Sequence, residues 1–183
     1  MSLPASVDGL ERLRLFCALR LPDDALDLLS RWQAVELREG RLVPREHLHL
    51  TLAFLGHRPR DELPAIAEAL RESAATAEPI RLLPERYRET RSVGMLVLKD
   101  LAGAATRLAE DLFGRLERLG VYERERRAWL PHVTVLRFRR RPGLRPPPPE
   151  LGEVAPSEAA VYLSRLRPGG ADYFVVESFV LGG

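Results

Sequence analysis

Apolar residues recur along this chain in two rhythms. Between Arg14 and Leu19, the apolar Leu15, Cys17 and Leu19 alternate with Arg14, Phe16 and Ala18, a period of two that predicts a strand with two unlike faces. Pro22-Asp23-Asp24 then opens a helix, with proline tolerated in the first turn and acids favoured at the positive end of the dipole. Ala25, Leu28, Leu29, Trp32 and Val35 form its expected buried stripe, and Gly40 is its expected stop. A strand follows from His47 to Leu55, ended by Gly56 and Pro59, and then a helix over about Asp61 to Ala77 carrying Ile66, Leu70 and Ala74.

Two further strands are predicted near Ile80–Tyr87 and Val93–Leu98. The clearest helix has Leu101, Ala105, Leu108, Leu112, Leu116 and Leu119 in one stripe and stops at Gly120. A strand at His132–Phe138 leads into Arg141–Pro149, where four consecutive prolines favour an extended, stiff loop. Strands near Ala159–Leu166 and Tyr173–Leu181 close the chain. Strands and helices alternate irregularly with short connections, which points to an α+β fold with antiparallel sheets rather than a parallel doubly wound one. No glycine-rich phosphate loop of the Walker or dinucleotide-binding type is present.

Composition adds bounds to this pattern. The 183 residues suffice for one substantial core or two small lobes sharing one. With 45% hydrophobic and 30% charged residues, the chain reads as an ordinary soluble globular protein. Net charge is only +2, yet Arg124–Arg145 holds eight arginines against Glu125, a local balance of +7 suited to attracting a polyanion. Charge runs are more often simply solvated loops, and Lys99 is the only lysine in this arginine-rich chain. The single cysteine, Cys17, cannot form an intramolecular disulfide, which fits a reducing compartment. The N-terminus, with Asp8 and Glu11, lacks a cationic-then-apolar signal pattern, and the apolar stretch Leu48–Leu55 is far too short to span a bilayer. A cytoplasmic protein without membrane attachment is expected.

The chemistry concentrates in two matching segments, His49-Leu-Thr-Leu52 and His132-Val-Thr-Val135, whose histidines lie 83 residues apart. Strand alternation places Leu48, Leu50, Leu52 and Phe54 on one face and His47, His49, Thr51 and Ala53 on the other. The second strand repeats this, with Val133 and Val135 opposite His132 and Thr134. Stability alone does not explain two polar His/Thr pairs, since buried imidazoles and hydroxyls need partners that apolar residues do not. Phosphodiester cleavage does: one neutral histidine deprotonates water, a protonated one donates to the departing oxygen, and threonine hydroxyls bind the non-bridging phosphate oxygens. A zinc site built on His47, His49 and His132 is the rival reading, but no acid or cysteine obviously completes it and the threonines would have no role. His57, in Gly-His-Arg-Pro, is expected to be exposed in a turn.

These segments resemble the 2H phosphoesterase superfamily, specifically the RNA 2′,3′-cyclic phosphodiesterases also described as 2′–5′ RNA ligases. Arg14-Leu-Phe-Cys-Ala-Leu-Arg-Leu-Pro22 is similar to that family's opening strand. Glu46-His-Leu-His-Leu-Thr-Leu-Ala-Phe-Leu-Gly56 and Pro131-His-Val-Thr-Val-Leu-Arg137 are similar to its two signatures, and Tyr162-Leu-Ser-Arg-Leu166 with Tyr173 to its last strands. The resemblance implies a LigT-like fold. In it two pseudo-symmetric lobes, with antiparallel sheets flanked by helices around a central cleft, form a single bilobal domain over residues 1–183.

It further implies metal-independent, cofactor-free hydrolysis of RNA 2′,3′-cyclic phosphate ends to 2′-phosphomonoesters, with reversible 2′–5′ ligation as a second activity. His49 and His132 are then the catalytic pair, with His132 activating water and His49 protonating the 3′ oxygen. Thr51 and Thr134 hold the phosphate, and Arg137 and Phe16 hold the terminal phosphate and base. The implied partner is an RNA with a cyclic phosphate end, tRNA fragments included, acted on by a monomer.

Alternation supports Phe16, which shares a face with Arg14 and Ala18, although a core phenylalanine fits the same pattern. It puts Arg137 on the Val133/Val135 face, so a bulge or a strand end near Leu136 is needed to bring it round. The Val93–Val97 strand lacks the tryptophan expected from the family. Two alternatives stay open. The same site could take a small cyclic nucleotide or ADP-ribose 1″,2″-cyclic phosphate, or the protein could be a non-enzymatic RNA-binding module using the arginine cluster.

Overall fold

A computed structural model describes residues 11–183; the N-terminal reading around Asp8 lies outside the described residues. The chain runs β1 (Arg12–Arg20), α1 (Asp23–Glu36), β2 (Arg41–Leu42), β3 (Leu50–Pro59), α2 (Leu63–Ala75), β4 (Leu82–Glu89), β5 (Val93–Asp100), α3 (Ala104–Arg118), β6 (His132–Arg137), β7 (Glu158–Arg167) and β8 (Gly170–Val180). Every strand pairing is antiparallel, in the order β4-β5-β6-β3-β1-β7-β8 with β2 on β6, so the expected α+β fold is the one observed.

The sheet divides into two four-stranded halves, β4-β5-β6-β2 and β3-β1-β7-β8, joined where β3 meets β6 at the pair Leu50↔Val133. Both residues are fully buried in the main core. The three helices supply the apolar cover, with Leu29 and Trp32 of α1, Ile66 and Leu70 of α2, and Leu108, Leu112 and Leu116 of α3 all in that core. Cys17 lies there too, and burial pushes its thiol up to about 12.

β1 alternates as the sequence implies. Leu13, Leu15, Cys17 and Leu19 enter the main core, whereas Phe16 and Ala18 form a second cluster with Ala160 and Tyr162 on the other face. β3 departs from strict alternation. Its pairing with β1 skips a residue at Leu52 and again at Leu55, so Ala53 turns into the core and Phe54 turns out at 49% exposure, the reverse of the expected faces. The strand also begins later and ends later than expected. Arg45–His47 forms a turn of 3-10 helix, and β3 continues through Gly56 (φ 68°) and exposed His57 to Pro59.

Helix stripes were narrower than the leucine spacing suggests. Leu28, Val35, Leu101 and Leu119 are exposed, because each lies at the margin or beyond the end of its helix's buried face. On α1 the fourth buried position is instead Gln33, only 2% exposed. The proline segment 141–149 has neither helix nor strand. It is fastened at one end by Trp32 Nε1 donating to the Pro147 carbonyl at 2.9 Å. At the other, Gly143 and Leu144 N–H donate to the buried Glu89 carboxylate, each at 2.9 Å.

Gln33 explains a local irregularity with consequences. β6 has a bulge against β5, where Gly94 pairs with Leu136 and Met95 with Thr134, leaving Val135 extra. Val135 and Leu136 are both fully buried, and Arg137 emerges on the Thr134 side, as the inferred irregularity requires. The Val135 carbonyl accepts from Gln33 Nε2 at 2.7 Å and from Val43 N–H at 3.0 Å, while Gln33 also donates to the Val43 carbonyl at 3.1 Å. Gly40 lets the chain pass beneath: a Cβ there would sit 2.8 Å from the Arg137 carbonyl oxygen, and its φ of 105° disfavours any other residue. Replacing Gln33 by leucine strands the Val43 carbonyl in the core, and the expected cost is about 1–3 kcal/mol. Urea unfolding of the variant measures it, and an unchanged midpoint would show that the bulge needs no side-chain support.

Candidate active site

The antiparallel register of Leu50↔Val133 fixes how the two His-x-Thr segments meet. Moving one residue in opposite directions from that pair sets His49 beside Thr134 and Thr51 beside His132. Leu50 and Val133 point into the core, so these four flanking residues lie together on the other face, where all are partly exposed. Each histidine thus stands next to the threonine of the opposite segment, in a two-fold arrangement about one residue pair.

The histidines are held alike. Nδ1 of His49 lies 2.8 Å from the His47 carbonyl, and Nδ1 of His132 lies 2.8 Å from the Leu130 carbonyl. A carbonyl only accepts, so both Nδ1 atoms carry a proton, and Nε2 is the nitrogen of each ring not tied to the backbone. His49 Nε2, lacking a proton in the neutral ring, accepts from the Thr51 hydroxyl at 3.0 Å. Trp129 Nε1 donates to the Thr51 carbonyl at 3.2 Å, steadying that strand from below the second motif.

An open cleft of about 150 Å³ lies over this face. His49, Thr51, Thr134, Arg137 and Phe16 all contribute to its lining. His132 stands at the start of β6 outside that lining, near enough for its charge to act on His49. Phe16 is only 3% exposed and forms a floor rather than an open platform. Its ring stacks on His49 (4.8 Å between centroids) and on Tyr162 (4.9 Å). Burial is the main reason that His49 is lowered to about 4; the neighbouring His47, Arg137 and His132 charges push the same way, against the His47 carbonyl contact.

Several lining residues were not foreseen. Tyr173 of β8 reaches Arg137, with the guanidinium donating to its hydroxyl at 3.5 Å, and packs 4.7 Å from the His47 ring. Only the curl of the sheet brings β8 across to β6, and no local signal announces that. Arg14 also lines the cleft, as its shared face with Phe16 allowed; Phe54 does so because of the bulges in β3. Among the described residues, no group of three or more His, Cys, Asp or Glu side chains is placed to hold a metal ion. The arginine cluster is partly neutralised: Arg124 bridges Glu110 and Glu117, Arg127 bridges Glu125, and Arg141 bridges Glu89.

An α+β sheet curled around paired histidines and threonines places this chain among the phosphoesterases, and comparison with known proteins agrees. Residues 19–86 match the family model for LigT-like phosphoesterases. The chain is 35% identical to the RNA 2′,3′-cyclic phosphodiesterase of Thermus thermophilus over 93% of its own length and 91% of that protein. It is 29% identical to the Escherichia coli protein of the same name, over 93% and 98% respectively. The crystal structure of E. coli LigT complexed with 3′-AMP superposes with a TM-score of 0.80 at 25% identity, covering 94% of this chain and all of that one. The chain belongs to the LigT-like phosphoesterase family.

The state of His49 has a consequence for stability. Its folded value lies below the ordinary 6.5, so unfolded chains bind a proton that the folded protein refuses. Its contribution is intact above about pH 6.5 and is lost as pH falls toward 4. Between pH 7 and 4.5 the loss is about 2–3 kcal/mol. Urea unfolding of the parent and His49→Gln at both pH values isolates it, since the carboxylates titrate in both. Equal losses in the two proteins would show that His49 is not held neutral.

Proposed function

We propose that this protein hydrolyses the 2′,3′-cyclic phosphate at the end of an RNA to a 2′-phosphomonoester, using two imidazoles and no metal or cofactor. The observation that carries this is the register pair Leu50↔Val133, which sets His49 opposite Thr134 and Thr51 opposite His132, with both Nδ1 atoms tied to backbone carbonyls. The names borne by its relatives, RNA 2′,3′-cyclic phosphodiesterase, support the same substrate.

In this reading, Nε2 of His132 takes a proton from water as the water oxygen attacks phosphorus. The P–O3′ bond breaks, and Nε2 of His49 delivers a proton to the departing 3′ oxygen. Thr51 and Thr134 donate to the non-bridging oxygens, and the Arg137 guanidinium balances their growing charge. The low proton affinity of His49 in the free protein fits its task as the acid in one respect. Its proton arrives with the substrate, because a seated phosphate anion neutralises the imidazolium that burial otherwise disfavours, and an acid so destabilised gives its proton up readily. Thr51 then exchanges its bond to His49 for one to phosphate. Phe16 keeps the His49 ring in plane beneath the substrate.

The same reading makes the chain one bilobal unit acting as a cytoplasmic monomer, with tRNA fragments among its substrates. Among the described residues, no helix is long and apolar enough to cross a membrane.

The test is an oligonucleotide ending in a 2′,3′-cyclic phosphate, assayed in excess EDTA. Turnover is expected to persist, and His49→Ala and His132→Ala are each expected to lose about 10²–10⁴ in rate. Loss of turnover to the chelator, or full retention by both variants, would sink the two-imidazole mechanism.

A further inference from the structure

Arg14 is placed unlike most of the arginines around it. In the same half-sheet, Arg20 bridges Glu158 and Arg58 bridges Glu62. Arg14 has no carboxylate partner among the described residues; its Nη1 donates to Ser164 Oγ at 2.6 Å, and its guanidinium carbon lies 4.6 Å from the centre of the Phe54 ring. Ser164 is only 3% exposed, so the anchor is rigid, whereas Phe54 shows half its surface to solvent. Both Arg14 and Phe54 line the cleft that holds His49 and Thr134.

A guanidinium has five N–H donors in a fixed fork, and Ser164 uses one. Parked on an aromatic ring and tied to a buried hydroxyl, the group is pre-organised, carries full charge and keeps donors for an anion. In the proposed reading that anion is not the reacting phosphate: Arg137 stands beside Thr134 on β6, whereas Arg14 pairs with His57, six residues along β3 from Thr51. Arg14 lies over one side of the Phe54 ring, and the half of that side chain which the β3 bulges leave exposed adds a π-surface next to the cation, the two features with which proteins hold single-stranded nucleic acid.

We infer that Arg14 and Phe54 form a second subsite, which binds the phosphodiester next to the reacting end of a polynucleotide and stacks its base. The inference rests on the proposed function for the position of the reacting end. It makes the cleft selective for an RNA chain over a single nucleotide, a discrimination that the paired histidines and threonines cannot provide because they read only one phosphate.

The test is binding by the full chain of a 2′-phosphate-ended RNA trinucleotide and of a nucleoside 2′-monophosphate, compared between the parent and Arg14→Met. Methionine retains an apolar stem over Phe54. The parent is expected to prefer the trinucleotide, and the variant to lose roughly tenfold or more on it against less than about twofold on the mononucleotide. The slope of log affinity against log salt for the trinucleotide should also fall by about 0.7. Equal losses on both ligands, no loss on the trinucleotide, or a parent protein without preference would each overturn the subsite. Because binding is the readout, a failure to hydrolyse cyclic phosphates would count against the hydrolase reading and leave this result standing.

Discussion

The site depends on one antiparallel pairing, Leu50 with Val133, where the two halves of the sheet meet. It is the point about which the two His-x-Thr segments are related, and its two side chains are sealed in the core. Side chains alternate across a strand, so a slip of one residue would send the imidazoles and hydroxyls inward and the leucines out. The apolar partners therefore set the register that the polar ones need. Burial of Leu50 and Val133 holds the geometry, and the imidazoles and hydroxyls occupy the face that burial leaves over.

Around this pair, the molecule tolerates local costs. Packing against Phe16 beneath and Tyr173 at its edge, with burial, makes His49 reluctant to carry charge. In a purely structural position an apolar residue would fill that space without the penalty. The bulge at Val135 likewise interrupts the β5–β6 ladder and occupies a buried glutamine, yet it turns Arg137 toward Thr134. Irregularities in β3 do the same for Phe54. These departures from regular sheet lie along the cleft, where they aim side chains that strict alternation would misdirect.

Much of this was legible in the sequence. Among the described residues, periodicity located the three helices and seven of the eight strands, missing the two-residue β2, and the alternation in β1 separated Phe16 from Leu15 and Cys17. The parity conflict at Arg137 pointed to a strand irregularity, a bulge or a strand end, and the irregularity present is a bulge at Val135. Phe54 was misplaced because a bulge leaves no composition signal, and nothing around Leu52 marks an extra residue. Tyr173 and Gln33 were hidden for a different reason. Their significance arises from contacts across more than a hundred residues for Gln33 with Val135, and from the curl of the sheet for Tyr173 with His47, neither of which is a property of a local segment.

The most direct measurement of the paired-imidazole arrangement is a long-range ¹H–¹⁵N NMR spectrum of the histidine-labelled protein, free and with a nucleoside 2′-monophosphate. In the free protein, both rings should carry a proton on Nδ1, as their carbonyl contacts require, and His49 should be neutral at pH 7. On adding the nucleotide, both Nε2 signals should move, and that of His49 toward the imidazolium. An Nδ1 without a proton in either free ring, or a response confined to one histidine, would contradict a site in which two imidazoles face one phosphate.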